Sequence, residues 1–117
     1  MSTPIVFFDI AGPDHVALRK FYSAIFGWQI GEDGRFSTTV ISPLGAVIRQ
    51  DPAEMRIYLG VPDVTAALEQ VEAHGGTIQE PRFEVPGVVI LGLFCDPADN
   101  PLGLVEMDGS DVKVPRS

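Results

Sequence analysis

Asp96-Pro97-Ala98-Asp99-Asn100-Pro101-Leu102-Gly103-Leu104-Val105-Glu106 is the most informative stretch of this chain. It places a polar turn directly before a run of alternating small and apolar residues, the pattern of a tight loop leading into a strand. Its second part has an echo upstream. Pro43-Leu44-Gly45-Ala46-Val47-Ile48 resembles Pro101-Leu102-Gly103-Leu104-Val105-Glu106, 58 positions apart. A second echo opens each half: Pro13-Asp14 recurs as Pro62-Asp63, and Gly27 as Gly76, both 49 positions on. The two echoes fall in the same order and mark the same boundaries. They predict a duplicated unit whose second copy is longer in its hairpins.

Each half opens with a β-branched and aromatic run, at 5–10 and 55–61, that predicts a strand. Asp14 and Asp63 follow as N-caps, because a carboxylate accepts the free amides of a first helical turn. Leu18, Phe21, Tyr22 and Ile25 then recur at helical spacing, as do Val64, Ala67, Leu68 and Val71. Gly27 and Gly75-Gly76 stop the two helices. Further strands are predicted at 28–30, 36–41 and 46–49, then at 77–83, 88–95 and 104–107. Asp33-Gly34, Pro43 with Gly45, Pro86-Gly87 and 96–103 supply the turns. The expected fold is α+β, two tandem βαβββ modules at about 4–50 and 54–108, with a hinge at Asp51-Pro52. A polar, loose tail is expected at 109–117.

Composition bounds the function. The 117 residues carry 16 Asp+Glu against 8 Lys+Arg, a net charge of −8. That argues against a nucleic-acid footprint and an anionic membrane surface. No apolar run approaches the roughly 20 residues of a membrane helix, and no signal peptide precedes Arg19. One cysteine excludes an internal disulfide, and the chain reads as cytoplasmic. Cys95 lies in an apolar strand, where an inert thiol is expected. Phe21, Tyr22, Phe26 and Trp28 read as core. His15 and His74 fall at helix ends, where a surface role suffices.

The order of elements resembles the vicinal oxygen chelate superfamily, which includes glyoxalase I, extradiol dioxygenases and bleomycin resistance proteins. The resemblance rests on Phe21-Tyr22 with Phe26-Gly27-Trp28, on Gly75-Gly76, and on the stretch 96–106, where Asp99 replaces the glycine usual to the family. It implies two strand cups enclosing a cavity, often around a divalent metal. By this resemblance the four ligand positions fall at Phe7, Ile48, Arg56 and Glu106. Phe7 and Ile48 have no donor atom, and Arg56 is a permanent cation. Only Glu106 is a retained candidate, and one carboxylate does not hold a hard or borderline ion. The expectation is therefore no metal, with a metal-dependent lyase, isomerase or dioxygenase as the alternative.

Strand alternation then predicts the cavity lining: Phe7, Asp9, Ile48, Arg56, Tyr58, Leu104 and Glu106, an apolar cup with a few polar groups. Arg56 and Glu106 either neutralise each other or contact a ligand. In a metal-free enzyme Glu106 would be the base and Arg56 would hold an anionic substrate. Three functions fit: a metal-free small-molecule binding protein, a superfamily enzyme, or a module whose surface matters more than its cup. Small-molecule binding in a homodimer is favoured, since the family's strand edges are commonly covered by a second chain and bare edges are a liability.

Overall fold

The computed structural model describes residues 5–41 and 45–117. The turn expected at Pro43 lies outside the described residues. Helix α1 spans His15–Phe26, and α2 spans Val64–Ala73. Both start as the sequence predicts: Asp14 accepts the Ala17 amide and Asp63 the Ala66 amide, each at 3.0 Å. Gly27 closes α1 in the left-handed region at φ 68°. Beyond α2, the Gly76 amide donates to the Val71 carbonyl at 2.8 Å and Gly75 to Glu72 at 3.2 Å, the paired bonds of a Schellman cap.

The strands are β1 (Ile57–Val61), β2 (Thr77–Val85), β3 (Val89–Cys95), β4 (Pro101–Asp108) and the short β5 (Asp111–Val112). Their order is β1-β4-β3-β2, with β5 on β4. β1 runs parallel to β4, and the other pairs are antiparallel. The second half is thus the expected β-α-β-β-β unit. Helix α2 lies on one face of the sheet, where Val64, Leu68 and Val71 join Phe94, Leu102 and Leu104 in the core. Gly92 permits this close approach, because a Cβ there would meet Val64 Cγ1 at 2.6 Å. From the first half, Leu18, Phe21 and Tyr22 complete the same core. Trp28 stacks on Tyr22 and Phe36, with ring centroids 5.3 and 4.6 Å apart.

The first half differs from expectation. Among the described residues it contributes α1 but no paired strand. The segments expected as strands at 5–10, 28–30, 36–41 and 46–49 form no strand. β propensity describes fitness for a neighbour's surface, not an intrinsic preference. The sheet has its edges at β1 and β2, and among the described residues none of these segments pairs with either. The tail also departs from expectation. Gly109, at φ 64°, turns the chain back so that β5 pairs with β4. The Gly87 amide then donates to the Pro115 carbonyl at 3.0 Å.

The loop between β3 and β4 is built on one carboxylate. Asp96, 1% exposed, accepts the amides of Ala98 and Asn100, the side-chain amide of Asn100, and the Tyr22 hydroxyl at 2.8 Å. Burial and the adjacent carboxylate push the Tyr22 phenol well above its ordinary range. Asp99, the residue that departs from the family pattern, sits at φ 67°, a conformation costly for any residue with a Cβ.

Two variants test this loop in a denaturant titration. Tyr22→Phe withdraws a donor from a buried charge and is expected to cost about 1–3 kcal/mol. Asp99→Gly relieves the backbone and is expected to gain up to about 1 kcal/mol, the greater freedom of unfolded glycine offsetting part of the relief.

Candidate functional site

The strand register divides the sheet into two faces. Ile57, Leu59 and Val61 share a face with their β4 partners Leu102, Leu104 and Glu106. That face meets the helices. Tyr58 and Gly60 share the other with Gly103 and Val105. β3 adds Leu91 and Leu93 to this helix-free face, and β2 adds Phe83 and Glu80. The Tyr58 ring lies across Gly103, in the space where any Cβ would stand. Gly60 likewise leaves room for Met107. The result is an apolar surface of Tyr58, Leu91, Leu93, Val105 and Met107, with Tyr58 49% exposed. This surface is the candidate ligand-binding face.

Against this geometry the seven expected cavity residues separate. Tyr58 lies on the helix-free face. Phe7 and Ile48 are 75% and 72% exposed, and Asp9 is exposed as well, outside any strand. Leu104 is fully buried under the helices, which corrects its predicted inward position. Glu106 is corrected with it: it is 4% exposed and lies on the helix side of β4. Alternation counted from Glu106 as an inward residue reverses the parity of β4. Gly103, Val105 and Met107 are the residues this missed. The signal for them is Gly103, whose lack of a side chain opposite Tyr58 marks the crowded face.

Arg56 and Glu106 do not pair. The Arg56 guanidinium donates to Glu54 through Nε and Nη2, at 3.2 and 2.9 Å. Its Nη1 donates to the Leu102 carbonyl at 2.6 Å and to Gln79 at 3.0 Å. It ties the start of β1 to β4 and β2. Glu54 accepts from Gln50 as well, and these bonds hold its carboxyl below the usual range. Glu106 is engaged elsewhere. Its Oε1 accepts the Val64 amide at the start of α2 and Arg82 Nε, both at 3.1 Å. Its Oε2 accepts Arg82 Nη2 at 3.0 Å, with Lys113 Nζ 3.6 Å away.

These contacts bear on catalysis and on metal. Arg82 above all, then the Val64 amide, lower the Glu106 carboxyl to about 2 despite burial. A base of that strength, turned toward the helices, is unsuited to taking a proton from a ligand on the other face. The divalent ion implied by the resemblance finds no fitting donor set. Phe7 and Ile48 lack donors, Arg56 is a cation held by Glu54, and Glu106 already accepts from a helix amide and a guanidinium. Among the described residues no other cluster of three or more His, Cys, Asp or Glu is placed to hold one. His74 caps α2, its ring nitrogen 2.8 Å from the Gln70 carbonyl.

The Glu106 carboxyl is depressed in the folded state, so its contribution is complete above the ordinary carboxylate range. It is lost as pH falls from about 4.5 toward about 2. Glu106→Gln is expected to cost about 1–3 kcal/mol at neutral pH. It should also flatten the acid limb of stability across that window, as measured by denaturant titration at successive pH values.

Comparison with known proteins agrees with this fold. The model of the glyoxalase-like domain family matches residues 5–105. The anthracycline biosynthesis protein DnrV of Streptomyces peucetius is 28% identical over 116 residues, covering 78% of this chain and 42% of its own length. The chain spans well under half the length of the curated relatives it matches. A glyoxalase-related enzyme from Fulvimarina pelagi superposes with a TM-score of 0.68 at 18% identity, covering 97% of both chains. A glyoxalase/bleomycin resistance protein/dioxygenase family enzyme from Burkholderia phytofirmans PsJN gives 0.61 at 18% identity, covering 80% of this chain and 90% of its own. No helix among the described residues is long and apolar enough to cross a membrane. With its cap-and-glycine punctuation, its β1-β4-β3-β2 sheet and a family match over most of its length, this chain belongs to the glyoxalase-like domain family of the vicinal oxygen chelate superfamily.

Proposed function

We propose that the chain binds a small, largely apolar molecule against the helix-free face of its sheet, without a metal. The observation that carries this reading is the composition of that face. Tyr58, Leu91, Leu93, Val105 and Met107 present apolar side chains and one phenol hydroxyl, while Arg56 and Glu106 are tied up elsewhere and Glu80 is the carboxylate that β2 adds to the face. An apolar surface with few polar groups suits a flat, apolar ligand, which contact and desolvation hold in place. A planar aromatic system is the preferred class, and the anthracycline biosynthesis relatives support it. The exposed apolar residues Phe7, Val47, Ile48 and Met55 further support a homodimer in which a second chain covers them.

The test is a fluorescence titration of the full chain with an anthracycline. Saturable binding is expected before and after treatment with a chelator. Leu93→Glu sets a charge on the binding face and is expected to weaken binding at least about tenfold, while Glu106→Gln is expected to leave it unchanged. Stoichiometric divalent metal in the native protein, rebound tightly after chelation, would overturn this reading and restore the lyase or dioxygenase alternative. Sedimentation is expected to report a dimer that Met55→Glu weakens.

A further inference from the structure

An aspartyl side chain cyclises onto the next amide most readily when glycine follows, because no side chain hinders the nitrogen and the backbone turns freely. The chain has two such steps, Asp33-Gly34 and Asp108-Gly109. The structure treats them differently. At the first, the Gly34 amide donates to the Gly31 carbonyl at 2.9 Å, and the Asp33 carboxylate accepts the Arg35 amide at 3.0 Å. The Gly31 amide donates to the Arg35 carbonyl at 3.0 Å and closes the loop. Nucleophile and electrophile are both engaged. At the second, Asp108 pairs with Asp111 across a two-residue turn, with Gly109 at φ 64° in its first position. The bond that defines such a turn joins the flanking residues and makes no use of the Gly109 amide. Asp108 is exposed. β5 is two residues long and pairs only with the end of β4, so it opens locally at little cost. The one asparagine, Asn100, precedes Pro101, whose nitrogen carries no proton, so it offers no third site.

We propose that Asp108-Gly109 is a modification site, at which the aspartate converts to isoaspartate and frees the C-terminal tail. In the opened turn the Gly109 nitrogen attacks the Asp108 side-chain carboxyl carbon. A C–N bond forms, and the amide proton leaves with the carboxyl hydroxyl as water. Water then adds to the cyclic imide. Opening at the side-chain carbonyl restores aspartate. Opening at the main-chain carbonyl leaves the chain running through the side-chain carboxyl carbon, with a new carboxylate on a branch. Solvent water is the only co-reactant, and the mass of the chain is unchanged. The main chain is one methylene longer, which breaks the Asp108–Asp111 and Met107–Val112 register. The other ties of the tail lie just beyond. The Lys113 amide donates to the Glu106 carbonyl and the Gly87 amide to the Pro115 carbonyl, each at 3.0 Å, and Lys113 Nζ lies 3.6 Å from Glu106. These contacts lose the hairpin that delivers them. Glu106 keeps Arg82 and the Val64 amide, so the sheet and α2 stay in place while the tail leaves.

The test ages the full chain in neutral heavy-oxygen water, then digests it and maps isoaspartate and label by mass spectrometry. Both are expected in the peptide holding residues 108–109, at least about tenfold above the peptide holding 33–34, the factor that one or two hydrogen bonds at the protected turn carry. Amide hydrogen exchange in the aged fraction is expected to quicken at least about fivefold at Lys113 and Gly87, and to stay unchanged at Val64. Asp108→Glu keeps the charge but sets the carboxyl too far along the side chain for the favoured ring, and is expected to abolish both changes. Asp33→Glu is expected to leave both as they are. Isoaspartate at 33 equal to that at 108 would overturn the proposal, as would its absence from 108 after ageing. So would exchange at Lys113 and Gly87 that does not respond to the modification, or the same acceleration in the aged Asp108→Glu chain.

Discussion

The Asp96 carboxylate is the constraint on which the two halves depend. One buried anion accepts from the Ala98 and Asn100 amides of its own loop, from the Asn100 side chain, and from Tyr22 on α1. Asn100 extends the chain of bonds to the Ala11 carbonyl at 2.8 Å. The strand that leaves this loop, β4, pairs with both β1 and β3. The loop therefore fixes the start of β4, and it simultaneously fixes where α1 sits against the sheet. A buried charge is costly unless every lone pair is used, and here the donors come from two segments far apart in sequence, its own loop and α1. Through this group the first half, which brings no paired strand among the described residues, is still held to the core.

At the far end of the same stretch, Glu106 shows how a carboxylate can be committed to structure. It lies beneath the first turn of α2, accepts the Val64 amide and receives Arg82. The positive end of a helix and a guanidinium both favour the ionised form. The same interactions that make it a good anchor make it a poor base, because a strongly stabilised anion has little affinity for a proton. Arg56 follows the same logic with the signs reversed. Its guanidinium is occupied by Glu54, Gln79 and a β4 carbonyl, so it braces strands and is not free to hold a ligand.

The sequence made the helices legible because their signals are local. An Asp cap, apolar residues at helical spacing and a terminal glycine all act within a dozen residues. The second-half strands were legible for a similar reason: their runs end at turn residues, and β2, β3 and β4 pair in chain order, although β1 crosses over to β4. The first-half segments carry equal β propensity, yet pairing depends on a neighbouring edge that no local pattern reports. The facing of β4 was misread because alternation gives only relative parity. An absolute direction needs an anchor, and Glu106 was the wrong one. Leu104 and Glu106 turned with it, while Gly103 opposite Tyr58 was the local clue to the true facing. The tail was misread because its pairing depends on Gly109 turning the chain back onto β4.

Taken together, these placements separate fold from chemistry. The glyoxalase-like architecture persists here with the charged residues of the stretch directed to caps, braces and the loop anion. Once those charges serve the scaffold, the helix-free face is left mostly apolar, with Glu80 as its carboxylate, and Gly103 makes room for the Tyr58 ring. Such a face discriminates ligands by shape and desolvation more than by charge.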